Sequence, residues 1–149
     1  TSMLEGAVIR GTGKKLKKLN VPLGGKTGTT NDNYDAWFIG FTSDLAIGVY
    51  IGYDEPKSLG KFETGSKVAL PVFKKFVESA LYKQDFKPFR IPPGIHFYPV
   101  DYDTGEFSDF TNKKSIVEGF KEKTPEGIKL KKLNLGENYG KSIKFKGFY

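Results

Sequence analysis

The 149-residue sequence contains no cysteine and only one histidine, one methionine and one tryptophan. Without cysteine it can form neither a disulfide nor a thiolate metal site, and one histidine excludes a zinc site built from several imidazoles. No apolar run approaches the ~20 residues of a membrane-spanning helix, and the residues after Thr1 lack the charged start and apolar core of a signal peptide. We therefore predict no metal and no cofactor.

What the sequence does contain is typical of a folded protein with many turns. Hydrophobic residues make up 38% and aromatic residues 15%, with 18 glycines and 8 prolines, which is enough apolar surface for one modest core. The net charge of +7 favours anionic partners such as lipid headgroups, cell-wall polymers or nucleic acid. Because the chain begins at Thr1, already in a helical pattern, we expect a fragment of a longer protein.

Apolar spacing predicts the elements of the first ninety residues. Residues 3–10 and 68–81 have helical spacing, whereas 36–42 and 45–53 are typical of two strands that form an antiparallel hairpin covered on both faces. The second helix should pack on the hairpin through an apolar stripe: Val68, Ala69, Val72, Phe73, Phe76, Val77, Ala80 and Leu81. Residues 14–19 are interpreted as a solvated basic loop.

The character of the sequence changes after residue 86. A proline-rich connector at 87–94 leads to a predicted strand at 95–102 and a turn at 103–105, and residues 115–121 are predicted to form a short helix. We therefore divide the chain into a first part, 1–91, and a C-terminal extension, 92–149, whose role the sequence does not indicate.

Lys26-Thr27-Gly28-Thr29-Thr30 has the composition of one wall of an acyl-transfer site. Lys26 would attract an anionic substrate, and the Thr29 N–H would donate to a developing oxyanion. Gly28 has no β-carbon, so a substrate backbone can approach closely. The hydroxyls of Thr27 and Thr29 can bind a carboxylate. We predict catalytic roles for Lys26 and Thr29 and substrate binding by Thr27, Gly28, Thr29 and Thr30.

Lys-Thr-Gly is one of three motifs of the serine penicillin-recognising enzymes, the others being Ser-x-x-Lys and Ser-x-Asn. The wider sequence resembles the last part of the transpeptidase domain of class A, bifunctional penicillin-binding proteins. The resemblance rests on residues 1–6, 10–13, 25–32, 35–41, 48–54 and 91–95. Residues 101–105 and 118–125 resemble the extension that follows this domain in many members.

The resemblance implies an α+β fragment of the penicillin-recognising fold, with antiparallel strands packed by helices and the Lys-Thr-Gly strand beside the cleft. It implies a peptidoglycan D,D-transpeptidase, whose serine attacks a D-Ala–D-Ala stem peptide, releases D-alanine and passes the acyl group to an amine. Penicillins and other β-lactams acylate the same serine. The parent protein would act at the extracytoplasmic face of the bacterial cytoplasmic membrane, anchored by a segment outside this chain.

The sequence departs from the family at the nucleophile. Ser58-Leu59-Gly60-Lys61 matches Ser-x-x-Lys only in spelling, because it follows Lys-Thr-Gly in a loop rich in glycine and proline, and no Ser-x-Asn occurs. We interpret the match as a coincidence and expect the serine to precede Thr1. The remainder of the same domain would be the main partner, and without it the open apolar surface should let the chain self-associate.

Four other interpretations remain. A non-enzymatic basic module could bind an anionic envelope polymer or nucleic acid through a Lys-rich tail and interspersed aromatic residues, namely Phe107, Phe110, Phe120, Tyr139, Phe145, Phe148 and Tyr149; given the resemblance, nucleic acid is not expected. A phosphate-binding loop at 20–27 lacks the first glycine and precedes a strand. Structural roles are favoured for His96 over a catalytic base, and for Asp101, Asp103 and Glu106 over calcium ligands.

We predict that the purified 149-residue chain forms no covalent adduct with a fluorescent penicillin, because it carries the Lys-Thr-Gly strand without a nucleophile motif. The measurement is in-gel fluorescence after denaturing electrophoresis, with an intact penicillin-binding protein as the positive control. A fluorescent band at the mass of the chain would contradict the prediction.

Overall fold

The computed structural model describes residues 1–81 and 83–121. The chain divides into two units, one spanning Thr1–Phe89 and the other beginning at Arg90. Helices and antiparallel strands are both present, as expected of an α+β protein. Within the described ranges, no helix is long and apolar enough to cross a membrane.

A three-stranded antiparallel sheet is the frame of the first unit. Its strands are β1 (Gly24–Thr29), β2 (Ala36–Phe41) and β3 (Ala46–Ile51), in the order β1-β2-β3. A short turn joins β2 to β3, which confirms the predicted hairpin. β1 pairs with β2, and no other described strand pairs with its second edge, which we call the open edge.

The hairpin is covered on one face only, contrary to the sequence prediction. Along β2, Ala36, Phe38 and Gly40 are buried, whereas Trp37 and Ile39 between them are 40% and 53% exposed. Strand side chains alternate between faces, and this strand is apolar on both, which is why the sequence predicted double cover. We call the face that bears Trp37 and Ile39 the open face.

Helices α1 (Ser2–Ile9) and α2 (Ala69–Ala80) contribute to one core with the buried face of the sheet. The predicted basic loop is instead a 3₁₀ helix, Lys14–Leu19, because Leu16 is drawn into that core and is 1% exposed. Its four lysines remain exposed, as expected of long charged side chains.

Only part of the predicted apolar stripe of α2 is buried. The residues of α2 in the core are Ala69, Leu70, Phe73 and Val77, followed by Leu81. The rings of Phe73 and Phe38 meet edge to face at 4.8 Å between centroids. A β-carbon on Gly40 would lie 2.5 Å from the Phe73 ring, which explains a glycine in this strand. Val72, Phe76 and Ala80 are exposed, Phe76 to 45%, so their predicted places in the core are wrong.

The second unit, described as far as Lys121, is an antiparallel pair of β4 (Ile95–Asp101) and β5 (Ser115–Lys121). β4 confirms the predicted strand, but β5 replaces the predicted short helix. Ile116 and Val117 are β-branched and pair with Val100 and Pro99, an arrangement that suits a half-buried strand. The tail residues Tyr139, Phe145, Phe148 and Tyr149, and the resemblance at 122–125, lie outside the described residues.

A single carboxylate organises the turn that follows β4. One oxygen of Asp101 accepts the N–H groups of Asp103 (2.9 Å) and Thr104 (3.0 Å), and the other accepts the Asn112 amide at 2.6 Å. These hydrogen bonds, first among them that from the Thr104 N–H, stabilise the carboxylate and lower the pKa of Asp101. The Asp101 carboxylate thus has a structural role in the turn, as the sequence favoured.

We predict that Phe73→Ala lowers the free energy of unfolding by ~3–5 kcal/mol, because it removes a fully buried ring, whereas the exposed Phe76→Ala on the same helix changes it by less than ~1 kcal/mol. The measurement is urea unfolding followed by the fluorescence of Trp37, the only tryptophan. Equal losses in the two variants would show that the assigned core is wrong.

We also predict that Asp101→Ala destabilises the second unit at neutral pH but not in acid. A carboxylate whose pKa is lowered by folding stabilises the fold above the ordinary aspartate pKa of ~4, and this stabilisation is lost as the pH falls through the lowered value. The stability difference between wild type and variant, followed through the Tyr98 ring resonances, should therefore shrink below about pH 4. A difference that stays constant with pH would contradict this account.

Candidate functional site

The Lys-Thr-Gly sequence lies within β1, at the open edge of the sheet. Thr30 N–H donates to the Asp35 C=O at 3.1 Å, which identifies this pair as a hydrogen-bonded pair of the antiparallel ladder. Because such pairs alternate, the N–H and C=O groups of Thr27 and Thr29 point away from β2. The N–H that the sequence predicted as an oxyanion donor, that of Thr29, therefore points out of the open edge.

The ammonium of Lys26 lies at the same edge. Its Nζ donates to the Thr27 C=O at 2.9 Å and to the Thr27 Oγ1 at 3.3 Å. The Thr27 hydroxyl is also 3.0 Å from the hydroxyl of Thr12, in the turn after α1. Lys26 itself is exposed. A positive charge and two hydroxyls therefore converge on one point of the edge, and Thr12 is a member that the sequence analysis had not assigned.

The hydroxyls of Thr29 and Thr30 have different partners. Thr29 Oγ1 accepts the N–H of Gly65 at 3.0 Å, across 36 positions of sequence. Thr30 Oγ1 accepts the N–H of Asp35 at 2.8 Å and so closes the turn between β1 and β2. Both threonines are exposed, which leaves their hydroxyl protons able to reach a ligand. Gly65 is the second contact to the site that the sequence analysis missed.

The turn after β1 holds a distant loop in place. Asp32 and Asn33 both have φ of 56°, a left-handed conformation that Asp and Asn tolerate better than most residues. The hydroxyl of Ser58 donates to the Asp32 C=O at 2.7 Å, and Leu59 N–H donates to the Asn33 C=O at 2.9 Å. The Asn33 amide donates back to the Gly60 C=O at 3.2 Å.

These bonds also define the surroundings of the Ser58-x-x-Lys61 sequence. Both residues lie outside any helix, so Ser58 and Lys61 are not brought onto one helix face. The Ser58 hydroxyl accepts the Gly60 N–H at 3.3 Å in addition to its bond to Asp32. Its role is to fasten the loop to the turn.

A tyrosine–aspartate pair borders the site on the open face. The Tyr50 hydroxyl donates to Asp35 Oδ1 at 2.9 Å, and its ring lies 4.8 Å from that of Trp37. The hydrogen bond to the carboxylate raises the pKa of Tyr50, since it stabilises the neutral phenol. The backbone of Asp35 pairs with Thr30, so this pair secures the turn that ends β1.

The other residues singled out in the sequence have other surroundings. His96 is half-buried on β4, with its ring 6.5 Å from that of Tyr98. Asp101 serves the turn described above, and Asp103 pairs with Lys114. Among the residues that the structure describes, no three or more His, Asp or Glu side chains form a cluster that could hold a metal ion. Lys26 and Thr27 lie in a strand, which excludes a phosphate-binding loop there.

Comparison of the sequence with curated proteins identifies relatives of this chain. The chain is 47% identical over 121 residues to penicillin-binding protein 1A of Rickettsia conorii, a match that covers 81% of this chain and 15% of that protein. It is 39% identical over 130 residues to penicillin-binding protein 1A of Pseudomonas aeruginosa, covering 86% of this chain and 16% of that protein. No family model matches the chain.

A solved structure shows the same similarity in three dimensions. The crystal structure of penicillin-binding protein 1A from Haemophilus influenzae superposes with a TM-score of 0.67 at 31% identity, over 78% of this chain and 18% of that one. The chain thus spans about 15% of the length of its curated relatives. The α+β fold, the sequence similarity and the structural match agree: this chain belongs to the penicillin-binding protein family of cell-wall proteins, and corresponds to one segment of it.

Proposed function

We propose that the chain is part of a peptidoglycan D,D-transpeptidase that works by serine acyl transfer, and that the open edge of β1 is one wall of its cleft. The observation that carries the proposal is the arrangement at that edge, where the Lys26 ammonium and the outward N–H of Thr29 belong to one short strand. Membership of the penicillin-binding protein family supports it.

In this reaction a serine from outside the 149 residues would attack the carbonyl carbon of the D-Ala–D-Ala peptide bond. Negative charge would develop on the carbonyl oxygen, and the Thr29 N–H is one of the pair of backbone donors that such an oxyanion requires. The bond to the terminal D-alanine would break as its nitrogen takes the proton given up by the serine, and D-alanine would leave with a free amine. An amine of a neighbouring strand would then take the acyl group and free the serine.

The open edge also has the groups needed to hold an extended peptide. The outward N–H and C=O groups of Thr27 and Thr29 could pair with a substrate backbone lying alongside as an added strand. Gly28, between them, leaves room for that backbone. The substrate carboxylate would meet the Lys26 ammonium and the hydroxyls of Thr27 and Thr29. Thr30 would add its hydroxyl proton as a donor, while its oxygen accepts from the Asp35 N–H.

The setting of the proposed activity follows from the substrate. Peptidoglycan lies outside the cytoplasmic membrane, so the parent protein would act at the extracytoplasmic face, held by a segment outside this chain. Stem peptides and β-lactams would bind at the edge. The rest of the same domain would cover the open face, where Ile39 is 53% and Tyr50 49% exposed. Through that apolar face the isolated chain would self-associate.

Of the aromatic residues named for the alternative of a basic binding module, the structure describes three, and Phe110 alone of these three is exposed, at 41%. The other two, Phe107 and Phe120, pack against each other and against Tyr98, with ring centroids 5.2 to 6.0 Å apart. Rings that pack on one another in this way contribute to a small core, whereas stacking on a ligand needs exposed faces.

We predict that Lys26→Gln in the full-length parent protein slows acylation by a fluorescent penicillin by about 10²-fold or more, because it removes the charge that faces the reacting groups. The matched control is Lys57→Gln, in an exposed loop where the ammonium lies 5.4 Å from the Tyr53 ring centre; its rate should equal that of wild type. The measurement is the second-order rate constant of labelling. An unchanged rate in Lys26→Gln would refute the assigned role.

A further inference from the structure

The segment that precedes α2 lies directly on the Lys-Thr-Gly strand. Gly65 N–H donates to Thr29 Oγ1 at 3.0 Å, and Gly65 is buried. A β-carbon on Gly65 would lie 2.5 Å from the C=O oxygen of Gly28 and closer still to that of Trp37. No side chain fits between these carbonyl groups, so glycine is required here for space rather than for its backbone angles.

The C=O group of Gly65 is hydrogen-bonded as well. Its C=O accepts the N–H of Leu70 at 2.8 Å, which joins it to the first turn of α2. Leu70 is fully buried in the core, beside Phe73. The position of Gly65 is therefore set by the packing of α2, and the bond to Thr29 transmits that position to the edge of the sheet.

The hydrogen bond from the Gly65 N–H to Thr29 Oγ1 determines how the Thr29 hydroxyl is oriented. A threonine hydroxyl has one proton to donate and an oxygen that accepts. With the oxygen facing Gly65, the rotamer of Thr29 is fixed and its proton is directed elsewhere. Because Thr29 is exposed, that proton can reach a carboxylate at the edge. Without Gly65, the hydroxyl would rotate among its staggered positions and orient toward the ligand only part of the time.

We propose that Gly65 is a positioning residue that orients the Thr29 hydroxyl toward the carboxylate of the substrate. The inference rests on the proposed transpeptidase function and adds a residue to it that lies 36 positions away in sequence. Gly65 acts through Thr29 and does not touch the substrate. The outward direction of the Thr29 N–H is set separately, by the ladder with β2. Gly65 therefore controls carboxylate recognition rather than oxyanion stabilisation.

This separation can be tested in the full-length parent protein with two forms of one penicillin, the free carboxylate and its methyl ester. Gly65→Ala should slow acylation by the free acid about 10-fold more than acylation by the ester, the effect of one lost hydrogen bond to a charged group; a displacement of the Gly28–Trp37 pair by the new β-carbon slows both compounds alike and cancels in this ratio. The neighbouring Ser66→Ala is the control and should slow neither reaction.

Variants of Thr29 test the same bond from its other end. Thr29→Val removes the acceptor and should slow acylation by the free acid more than acylation by the ester. Thr29→Ser should restore the wild-type ratio of the two acylation rates. Combining Gly65→Ala with Thr29→Val should be no worse than Thr29→Val alone, since both break one interaction. Should Gly65→Ala fail to fold, amide exchange of Gly65 replaces it: exchange should be faster in Thr29→Val than in wild type and slow in Thr29→Ser.

The outcomes separate the two proposals. Equal slowing of acid and ester by Gly65→Ala, or unchanged Gly65 exchange in Thr29→Val, would overturn the positioning role and leave the transpeptidase assignment intact. A wild-type parent protein that neither compound acylates would refute the proposed function itself.

Discussion

The contact between Phe73 and Phe38 is the interaction on which the rest of the first unit depends. It seats α2 on the middle strand of the sheet, where Gly40 leaves room for the ring. Because α2 begins four residues after Gly65, seating the helix also brings Gly65 to the edge strand. The packing of the core therefore determines the geometry of the candidate site, and a substitution deep in the core would displace the exposed Thr29.

The edge strand can pair with a further strand and is at the same time protected against such pairing by a charged residue. Open edges invite pairing with other chains, and proteins commonly protect them with charge, above all with lysine. Here the lysine lies on the edge itself and its ammonium bonds to an outward carbonyl, that of Thr27. The same charge that discourages pairing with an arbitrary strand would favour a peptide that ends in a carboxylate. Selectivity for such peptides would thus follow from the way in which the edge is protected.

Much of this arrangement could be read from the sequence, and the failures have physical causes. The hairpin, α1, α2 and β4 follow from apolar spacing, and the Lys-Thr-Gly strand from its motif and context. The helix predicted at 115–121 was wrong because a seven-residue segment with apolar side chains only at 116, 117 and 120 is too short to distinguish the helical period from the strand period. The prediction that both faces of β2 are covered was wrong because the sequence shows that a face is apolar but does not show what packs on it.

The site residues that were missed share one property, which is that their contacts are long-range. Thr12 meets Thr27 across 15 positions, and Gly65 meets Thr29 across 36. A glycine in a loop predicts a turn, and nothing in its neighbours shows that it lies against two carbonyl groups. Such contacts emerge only when the helices are packed on the sheet. Thr12 had a weaker signal, since it lies in one of the segments that carry the family resemblance.

The loop between β3 and α2 is fixed at two separate points, at 58–60 by the turn after β1 and at Gly65 by the edge strand. Residues 53–57, ahead of both points, are all exposed. Adding residues to a flexible surface loop is inexpensive, at about 0.6 kcal/mol for each doubling of its length. A change in the length of the loop at 53–57 would therefore leave the position of β1 unaltered, and this part of the chain is free to differ in length.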